Sequence, residues 1–317
     1  MSISVRLVSL VKKHGIVRLL GITSSLFKKR LSYEINRRLP PAKRQKALEN
    51  WYFKETGQRI SLDCPQTFNE KIQWFKLYGG TPLVSQLSDK YRVREWVKER
   101  IGEKYLIPLL GCWDEVDDID FAQLPQKFVL KCNHGCGYNL IVTDKSTLDI
   151  AGVKKKLKKW MSTDFAFVAG FEMHYQSIPR KITAEAYLEN DNSDLFDYKS
   201  YCFNGKCEFI EFISGRGTGT HLSFYDKEWK QLAITSGTYP VHDIPVPKPD
   251  NLQELLHCVE CLAEGFPHVR VDFYRLNDGR LYFGEMTFTP CSGKAHWQPE
   301  NLNYELGQKF SYPGMHT

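Results

Sequence analysis

From Phe128 to Met286 the chain is a succession of short apolar or alternating runs separated by turn residues, and no other feature restricts the fold as much. The candidate strands are Phe128–Lys131, Asn139–Thr143, Lys181–Leu188, Tyr198–Phe203, Glu208–Ile213, Leu222–Tyr225, Arg270–Arg275 and Leu281–Met286. Asn204-Gly205 stands between the alternating runs of YCFNGKCEFIEF, and Asn277-Asp278-Gly279 plays the same part in VDFYRLNDGRLYFGE. Such residues accept the backbone angles of a tight hairpin. Two stretches, STLDIAGVKKKLKKWM and Leu252 to Glu264, read as interleaved helices. The pattern predicts an α+β chain of antiparallel hairpins with helices laid on them.

Upstream the character is helical. In TFNEKIQWFKLYGG, Thr67 and Glu70 have the spacing of a capping box, and Gly79-Gly80 supplies the stop. SDKYRVREWVKERIG repeats the logic, with Ser88 or Asp89 as the expected N-cap and Gly102 as the stop. The segment GCWDEVDDIDFAQLP, rich in acid and proline, reads as a loop leading to the first strand. The chain therefore divides into an arm over residues 1–46, a mainly helical region over 47–124, and two strand-rich parts over 125–190 and 191–317.

Charge is unevenly spread. Residues 1–46 carry twelve Lys or Arg against Glu34 alone, a net +11, while 31 basic and 36 acidic residues leave the remainder at −5. The longest uncharged run of the arm, Leu19 to Phe27, is far short of the ~20 residues needed to cross a bilayer. Lys12, Lys13 and Arg18 break any block suited to a signal peptide. Basic residues interleaved with Val, Leu and Ile fit an element lying on an anionic membrane surface, or an amphipathic helix packed on the body. Nucleic acid is not an expected partner, since no recognised module accompanies the charge. Nine cysteines without an export signal point to reduced thiols in a cytoplasmic protein. Cys258-x-x-Cys261 lacks a second pair at zinc-ribbon distance and sits in a helical stretch.

FVLKCNHGCGYNLIV, residues 128–142, joins two apolar runs through Lys131, His134 and Gly135-Cys136-Gly137. It is no Walker A loop, because its glycines lead into a strand and not a helix. Alone it is either an ordinary turn or a bare backbone able to approach phosphate, with Lys131 as a point charge. Asp272 and Glu285 belong to one expected hairpin, where opposed carboxylates with nothing between them repel. A divalent cation relieves that repulsion, and carboxylates with phosphate oxygens suit Mg2+. Arg270, two residues before Asp272, shares its face and can meet a developing phosphate charge. In KITAEAYLEN, Ile182, Ala184, Ala186 and Leu188 form one apolar face and Glu185 lies on the other. A strand end of this kind can offer backbone groups to a purine and a carboxylate to a ribose.

Taken in order, the glycine-rich hairpin with its strand lysine, the Glu-x-Tyr-Leu-Glu strand, the Asp-Tyr-Lys strand and Arg-x-Asp…Glu-x-Thr resemble the ATP-grasp fold. FNEKIQW, SDKYRVREWV, KCNHGCGYN, DYKSYCFNG and GEMTFTPCSG are similar to its TupA-like branch, named for teichuronopeptide biosynthesis. The resemblance runs from about Thr67 to Trp297. It implies an α+β ATP-grasp fold of antiparallel sheets with flanking helices behind a helical N-terminal region, with ATP and Mg2+ as cofactors. It also implies that Lys131 contacts phosphate while His134, Gly135, Cys136 and Gly137 close over the β and γ phosphates. Glu185, Tyr187 and Leu188 then edge the adenine, and Glu189 or Asp191 meets the ribose. Lys199 becomes a second phosphate contact, Asp272 and Glu285 hold Mg2+, and Arg270 steadies the transferred phosphoryl group. Many ATP-grasp enzymes have Asn where this chain has Thr287, whose hydroxyl can ligate the metal or order a metal-bound water.

The implied activity is that of an ADP-forming carboxylate–amine ligase working through an acylphosphate. For the TupA-like branch the implied substrates are a uronic acid of a surface polysaccharide, such as a capsule, or of its lipid-linked precursor, and an amino acid or related amine. Expected substrate contacts are Arg216 in FISGRGTGTH and Ser292, Gly293 and Lys294 in TPCSGKAHWQ. Arg216 or Lys294 either binds a carboxylate or is surface charge. The basic arm suits a peripheral position on the inner membrane face. A sugar-nucleotide glycosyltransferase is the alternative, weakened because Asp118-Ile119-Asp120 has no strand before it. A glycan-binding scaffold with a decayed site is a third, opposed by the intact Lys131, Lys199, Arg270, Asp272 and Glu285.

Overall fold

The computed structural model describes residues 30–190, 195–216, 219–237 and 239–316. Residues 1–29 of the basic arm and the ribose candidate Asp191 lie outside the described residues. A helix over residues 30–38 precedes α1 (Pro41–Thr56). α2 (Phe68–Tyr78) begins as its sequence requires, with Thr67 and Glu70 exchanging both bonds of a capping box. Asn69, Lys71, Gln73 and Lys76 are all buried along this helix, which is costly unless each is paired. Their partners lie far along the chain. Asn69 Nδ2 donates to the Ala295 carbonyl (2.9 Å), Lys71 Nζ to that of Phe310 (2.7 Å), and Gln73 Nε2 to those of Ser292 and Gly293 (2.9 and 3.0 Å).

α3 (Pro82–Ser88) and α4 (Val93–Arg100) follow, and here the structure departs from expectation. Asp89 caps no helix through SDKYRVREWVKERIG; its Oδ1 accepts from the Tyr91 and Arg92 amides in a turn, and α4 starts only at Val93.

The first sheet contains β1 (Leu109–Trp113), β2 (Phe128–Cys132), β3 (Asn139–Val142) and β4 (Ile182–Ala186), ordered β1-β4-β2-β3 and antiparallel throughout. β1 runs into the acidic segment expected to be loop. α5 (Ile150–Met161) packs Val153 and Leu157 against Phe128, Leu130, Ile182 and Ala184 on one face of this sheet. The second sheet contains β5 (Phe196–Phe203), β6 (Lys206–Ser214), β7 (His221–Tyr225), β8 (Gln231–Leu232), β9 (His268–Arg275) and β10 (Leu281–Thr287). Its order is β10-β9-β5-β6-β7-β8, again antiparallel. The β5–β6 hairpin turns at Asn204 and Gly205, whose φ angles of +48° and +77° are those the dipeptide tolerates. α6 (Leu252–Ala263) lies on β5, β6 and β9, burying Leu255, Val259 and Leu262. On the second sheet's helix-clamped flank, Phe68 of α2 meets the rings of Tyr201, Phe203, Trp297 and Phe310 at 5.9–6.4 Å. The site candidates occupy the faces that these helices leave uncovered.

Candidate active site

One row of charge crosses the second sheet. Register makes Glu285 of β10, Asp272 of β9, Lys199 of β5 and Glu211 of β6 successive cross-strand neighbours, so their side chains share a face. Glu285 joins that face through a bulge. Phe283 opposes Phe273, but Glu285 opposes Asp272, because Gly284 is an extra residue in β10. Were Gly284 paired regularly, Glu285, two positions after Phe283, would follow that ring into the core. A Cβ at position 284 would lie 3.1 Å from the Asp272 carbonyl oxygen, so the close approach favours glycine.

The opposed carboxylates are not left to repel. Arg270 chelates Asp272, Nε to Oδ1 and Nη2 to Oδ2 at 2.7 Å each, and extends Nη2 to Glu285 Oε1 (3.3 Å) and Thr287 Oγ1 (3.1 Å). Lys199 Nζ lies 2.5 Å from Asp272 Oδ2 and 3.3 Å from Asp197 Oδ2. This corrects the expectation of two carboxylates with nothing between them, since fixed cations already offset their charge. Burial would raise the Glu285 pKa, but Lys90, Lys199, Arg270 and the Thr287 hydroxyl hold it down at about 2. Burial also works against the Lys199 charge, and Asp197 with Asp272 more than restores it. Asp272, Glu285 and Thr287 thus form an oxygen-only donor set of the kind Mg2+ accepts.

The first sheet offers a simpler arrangement. Lys131 of β2 and Glu185 of β4 are diagonal neighbours, Lys131 opposite Thr183 and Glu185 opposite Val129, and their side chains meet at 2.5 Å. Arg94 of α4 approaches the other oxygen of Glu185 at 3.7 Å. Between β2 and β3 the glycine loop stands on Asn133, which bonds Asp89 Oδ1 and the Pro179 carbonyl (2.8 Å each) and accepts from the Lys181 amide (2.7 Å). Gly137 has φ +72°, and Gly135 is pressed so close to Phe165 that a Cβ there would lie 2.6 Å from its ring. Lys90 ties the two faces together, donating to the Gly135 carbonyl (2.7 Å) and lying 3.6 Å from Glu285 Oε2. At the flank a cavity of about 810 Å³ opens between Pro108 and Leu109 on one side and Tyr282 of β10 on the other, with Arg94 in its wall.

A model of the family described as TupA-like ATPgrasp matches residues 70–311. The chain belongs to this family. Among solved structures it is similar to the ADP complex of purK, N5-carboxyaminoimidazole ribonucleotide synthetase, at 11% identity and a TM-score of 0.43 over 69% of this chain and 50% of the other. It is also similar to D-alanine–D-alanine ligase from Bacillus anthracis complexed with ATP, at 16% identity and a TM-score of 0.40 over 65% and 57%. A third is L-amino acid ligase from Bacillus licheniformis, at 14% and 0.39 over 72% and 50%. The chain spans about half the length of these proteins. A search of curated proteins finds no match.

Within this ATP-grasp framework the remaining candidates are spread unevenly. His134 turns away from the cleft. It is buried, its Nε2 lies 3.2 Å from the Trp160 carbonyl of α5, and burial pulls its pKa down to about 4, so the loop offers backbone and the exposed Cys136 at that point. Tyr187 and Leu188 are half-buried beyond the end of β4, whereas Glu189 is exposed and held by Lys127 at 2.6 and 2.8 Å. Arg216 is exposed and bonded to the buried Asp197 that Lys199 also contacts. Ser292 points into the protein, where its hydroxyl accepts from Lys76 Nζ (2.6 Å) and donates to the Ala169 carbonyl (3.1 Å). Gly293 is buried with φ +65°, and Lys294 pairs with Glu55 at 2.7 Å. The sequence reading did not single out Lys90, Arg94 or Glu211. The first two lie in the quoted SDKYRVREWV, where a helix reading made them solvated charge, and Glu211 gains its place only from register.

Proposed function

We propose that the chain is an ATP-dependent carboxylate–amine ligase that joins an amino acid or related amine to a uronic acid of a surface polysaccharide or its precursor. The observation carrying this reading is the pairing of two charged faces, Lys131 with the glycine loop on one and the Asp272/Glu285 row on the other, bridged by Lys90. In the first half-reaction a substrate carboxylate oxygen attacks the γ-phosphorus of ATP, the bond to the bridging oxygen breaks, and ADP leaves an acylphosphate. In the second, the amine nitrogen attacks the acyl carbon, the C–O bond to phosphate breaks, and one amine proton departs with the phosphate. Neither half needs a side-chain nucleophile; positioning and charge neutralisation suffice.

Asp272, Glu285 and Thr287 would hold Mg2+, which supplies charge neutralisation at the phosphate oxygens. Lys131 and the bare backbone at Gly135 and Gly137 grip the phosphate tail, with Arg94 beside Lys131. Glu185 must yield these cations when phosphate arrives. Lys199 and Arg270 stay fixed in the row by Asp197 and Asp272 and meet the transferred group, with no reorganisation of their own. Glu185 to Leu188, with Glu189, form the purine and ribose edge.

Among the described residues no helix is long and apolar enough to cross a membrane. The arm of residues 1–46 is proposed to lie on the anionic inner face, bringing the enzyme to a lipid-linked or polyanionic glycan. Tyr33 accepts from the Asp164 amide (3.0 Å), which seats the helix over residues 30–38 close to the lysine-rich α5 and extends the basic surface. Removing residues 1–46 then shifts the protein from vesicles containing anionic lipid to the supernatant, and unchanged partition would remove this part of the reading.

The decisive assay supplies purified protein with Mg-ATP, a pool of amino acids and a uronic-acid glycan while ADP and phosphate are followed. Release that requires both co-substrates supports the ligase. β1 does precede Asp118-Ile119-Asp120, against expectation. Asp120 nevertheless uses both oxygens to brace its own turn, accepting from the Ala122 amide and the Gln123 side chain at 2.9 Å, so the triplet does not support the glycosyltransferase.

A further inference from the structure

The charged row does not end at Lys199. Glu211 stands one strand further on, about 4.8 Å beyond it by ordinary strand spacing, and is 6% exposed. Lys199 leans the other way, toward Asp272 and Asp197. Among the described residues the hydrogen bond to Glu211 comes from Tyr201, whose hydroxyl donates to Oε2 at 3.0 Å. Burial raises the Glu211 pKa, and Arg270 and Lys199 favour its charge from a distance without outweighing that burial. Neither forms an ion pair with Glu211 among the described residues, so its second oxygen is available to a further cation.

The loop that approaches this carboxylate is under backbone strain. Cys291 and Ser292 have φ angles of +51° and +53°, followed by Gly293 at +65°. Two successive side-chain-bearing residues in the left-handed region persist only where their surroundings impose it. Gln73 and Lys76 impose it here, through the Ser292 and Gly293 carbonyls and the Ser292 hydroxyl. The result sets Cys291, an exposed residue whose thiol pKa is raised by burial, within electrostatic range of Glu211, Arg270, Lys199 and Tyr201.

We infer that Glu211, Tyr201 and Cys291 form the subsite for the amino group of the acceptor amine, on the far side of Lys199 from Asp272 and Glu285. This rests on the ligase reading, which brings an amine and an anionic phosphate to one row. The amine arrives as an ammonium and passes one proton to the Glu211 carboxylate, which frees the nitrogen lone pair for attack. Arg270 and Lys199 make their own position attractive to phosphate and hostile to an ammonium. Glu211 is the next position along and has the opposite sign, so it repels a second carboxylate and attracts the amine. Tyr201 fixes the carboxylate, and the small Cys291 leaves room for a substituent beside the nitrogen.

The charge preference can be read without knowing the substrate. Cys291 is labelled with the cationic 2-aminoethyl and the anionic 2-sulfonatoethyl methanethiosulfonate, each forming a mixed disulfide as methanesulfinate leaves, and the rates are followed by peptide mass spectrometry. Exposed Cys64 serves as the internal reference. The cation-to-anion rate ratio at Cys291 is expected to exceed that at Cys64 about tenfold, and to fall to the Cys64 value in Glu211→Gln. Tyr201→Phe keeps the carboxylate and should keep the preference. No preference, or one that survives Glu211→Gln, overturns the subsite, as does its equal loss in both variants. With an active amine–uronate pair, Glu211→Gln raises KM for the amine at least tenfold and leaves KM for ATP unchanged. A preference that depends on Glu211, in a protein that turns over no pair, would sink the ligase reading and leave the cation subsite standing. Turnover without the preference does the reverse.

Discussion

On the four-stranded sheet, Lys131 and Glu185 reach the cleft by plain alternation along β2 and β4; on the six-stranded sheet, Glu285 reaches it only because Gly284 interrupts the alternation of β10. The first face holds one close ion pair with Arg94 in support, while the second packs Glu285, Asp272, Lys199, Arg270 and Asp197 into mutual contact. A grip on a flexible phosphate tail tolerates a cation that swings from a carboxylate to its ligand. Stabilising a transferred group, the part proposed for the second face, does not, and that face holds its cations from several sides. The two faces should therefore fail differently when altered.

Filling the bulge with Gly284→Val tests the difference most harshly, because the Cβ crowds the Asp272 carbonyl and a β-branched residue favours regular pairing of β10. In a regular strand Glu285 is carried to the core face with Phe283, and an uncompensated buried carboxylate costs roughly 3–5 kcal/mol. Chemical denaturation should show that loss together with the disappearance of ADP release, whereas an active, stable variant would show that the bulge is incidental. Arg270→Lys keeps the charge but loses the two-pronged hold on Asp272. It should slow ADP release by about 10²–10³-fold while ATP affinity, read by calorimetry, changes far less. Lys131→Met should invert this result, weakening ATP binding about tenfold with a smaller change in turnover at saturation. Equal effects of the two substitutions on binding would erase the distinction between the faces.

Acid provides a gentler probe of what lies behind them. Burial lowers the pKa of His134 to about 4 and of His174 and His268 to about 3, below the ordinary 6.5. The unfolded chain therefore binds more protons between those limits, and stability present above pH 6.5 is lost as pH falls toward 4 and 3. The unfolding free energy from urea titration should decline across that window by up to about 1.4 kcal/mol per pH unit for each histidine. The decline should shrink when His134, the one behind the glycine loop, is replaced by Gln. The smallest effect belongs to Lys127→Ala. Its pairing with Glu189 is exposed, so Tm should not move measurably, and any loss of ATP affinity would place Glu189 at the ribose.

Much of this was legible where local pattern decides structure. The capping box at Thr67 and Glu70, the Asn204-Gly205 turn and the facing of Asp272 and Glu285 are each encoded within a few residues. β1 was not, because it is an edge strand whose burial does not alternate, set between acidic and proline-bearing flanks. Lys90 and Arg94 were hidden because a helix reading assigns charges to solvent, while their contacts are with a loop and a strand 45 and more residues away. Ser292 looked available to substrate because Lys76, which holds its hydroxyl, stands 216 residues earlier. Glu211 could be placed only once β6 had found its register on β5.

That long separation has a consequence for how the protein is made. α2 leaves the ribosome more than 200 residues ahead of the carbonyls that receive Lys71 and Gln73 and of the Ser292 hydroxyl that receives Lys76, although the Ala169 carbonyl, 93 residues on, meets Lys76 earlier. Until those residues emerge, the Lys71 ammonium and the Gln73 amide have no partner and Lys76 has only the Ala169 carbonyl and the nearby Glu172, so the helix gains little by settling into place. Its docking and the shaping of the 290–293 loop are therefore one late event. A nascent chain can complete its glycine loop and its Asp272/Glu285 hairpin and still lack the strained turn that overlooks Glu211, so assembly withholds the last wall of the cleft until both ends of the fold have met.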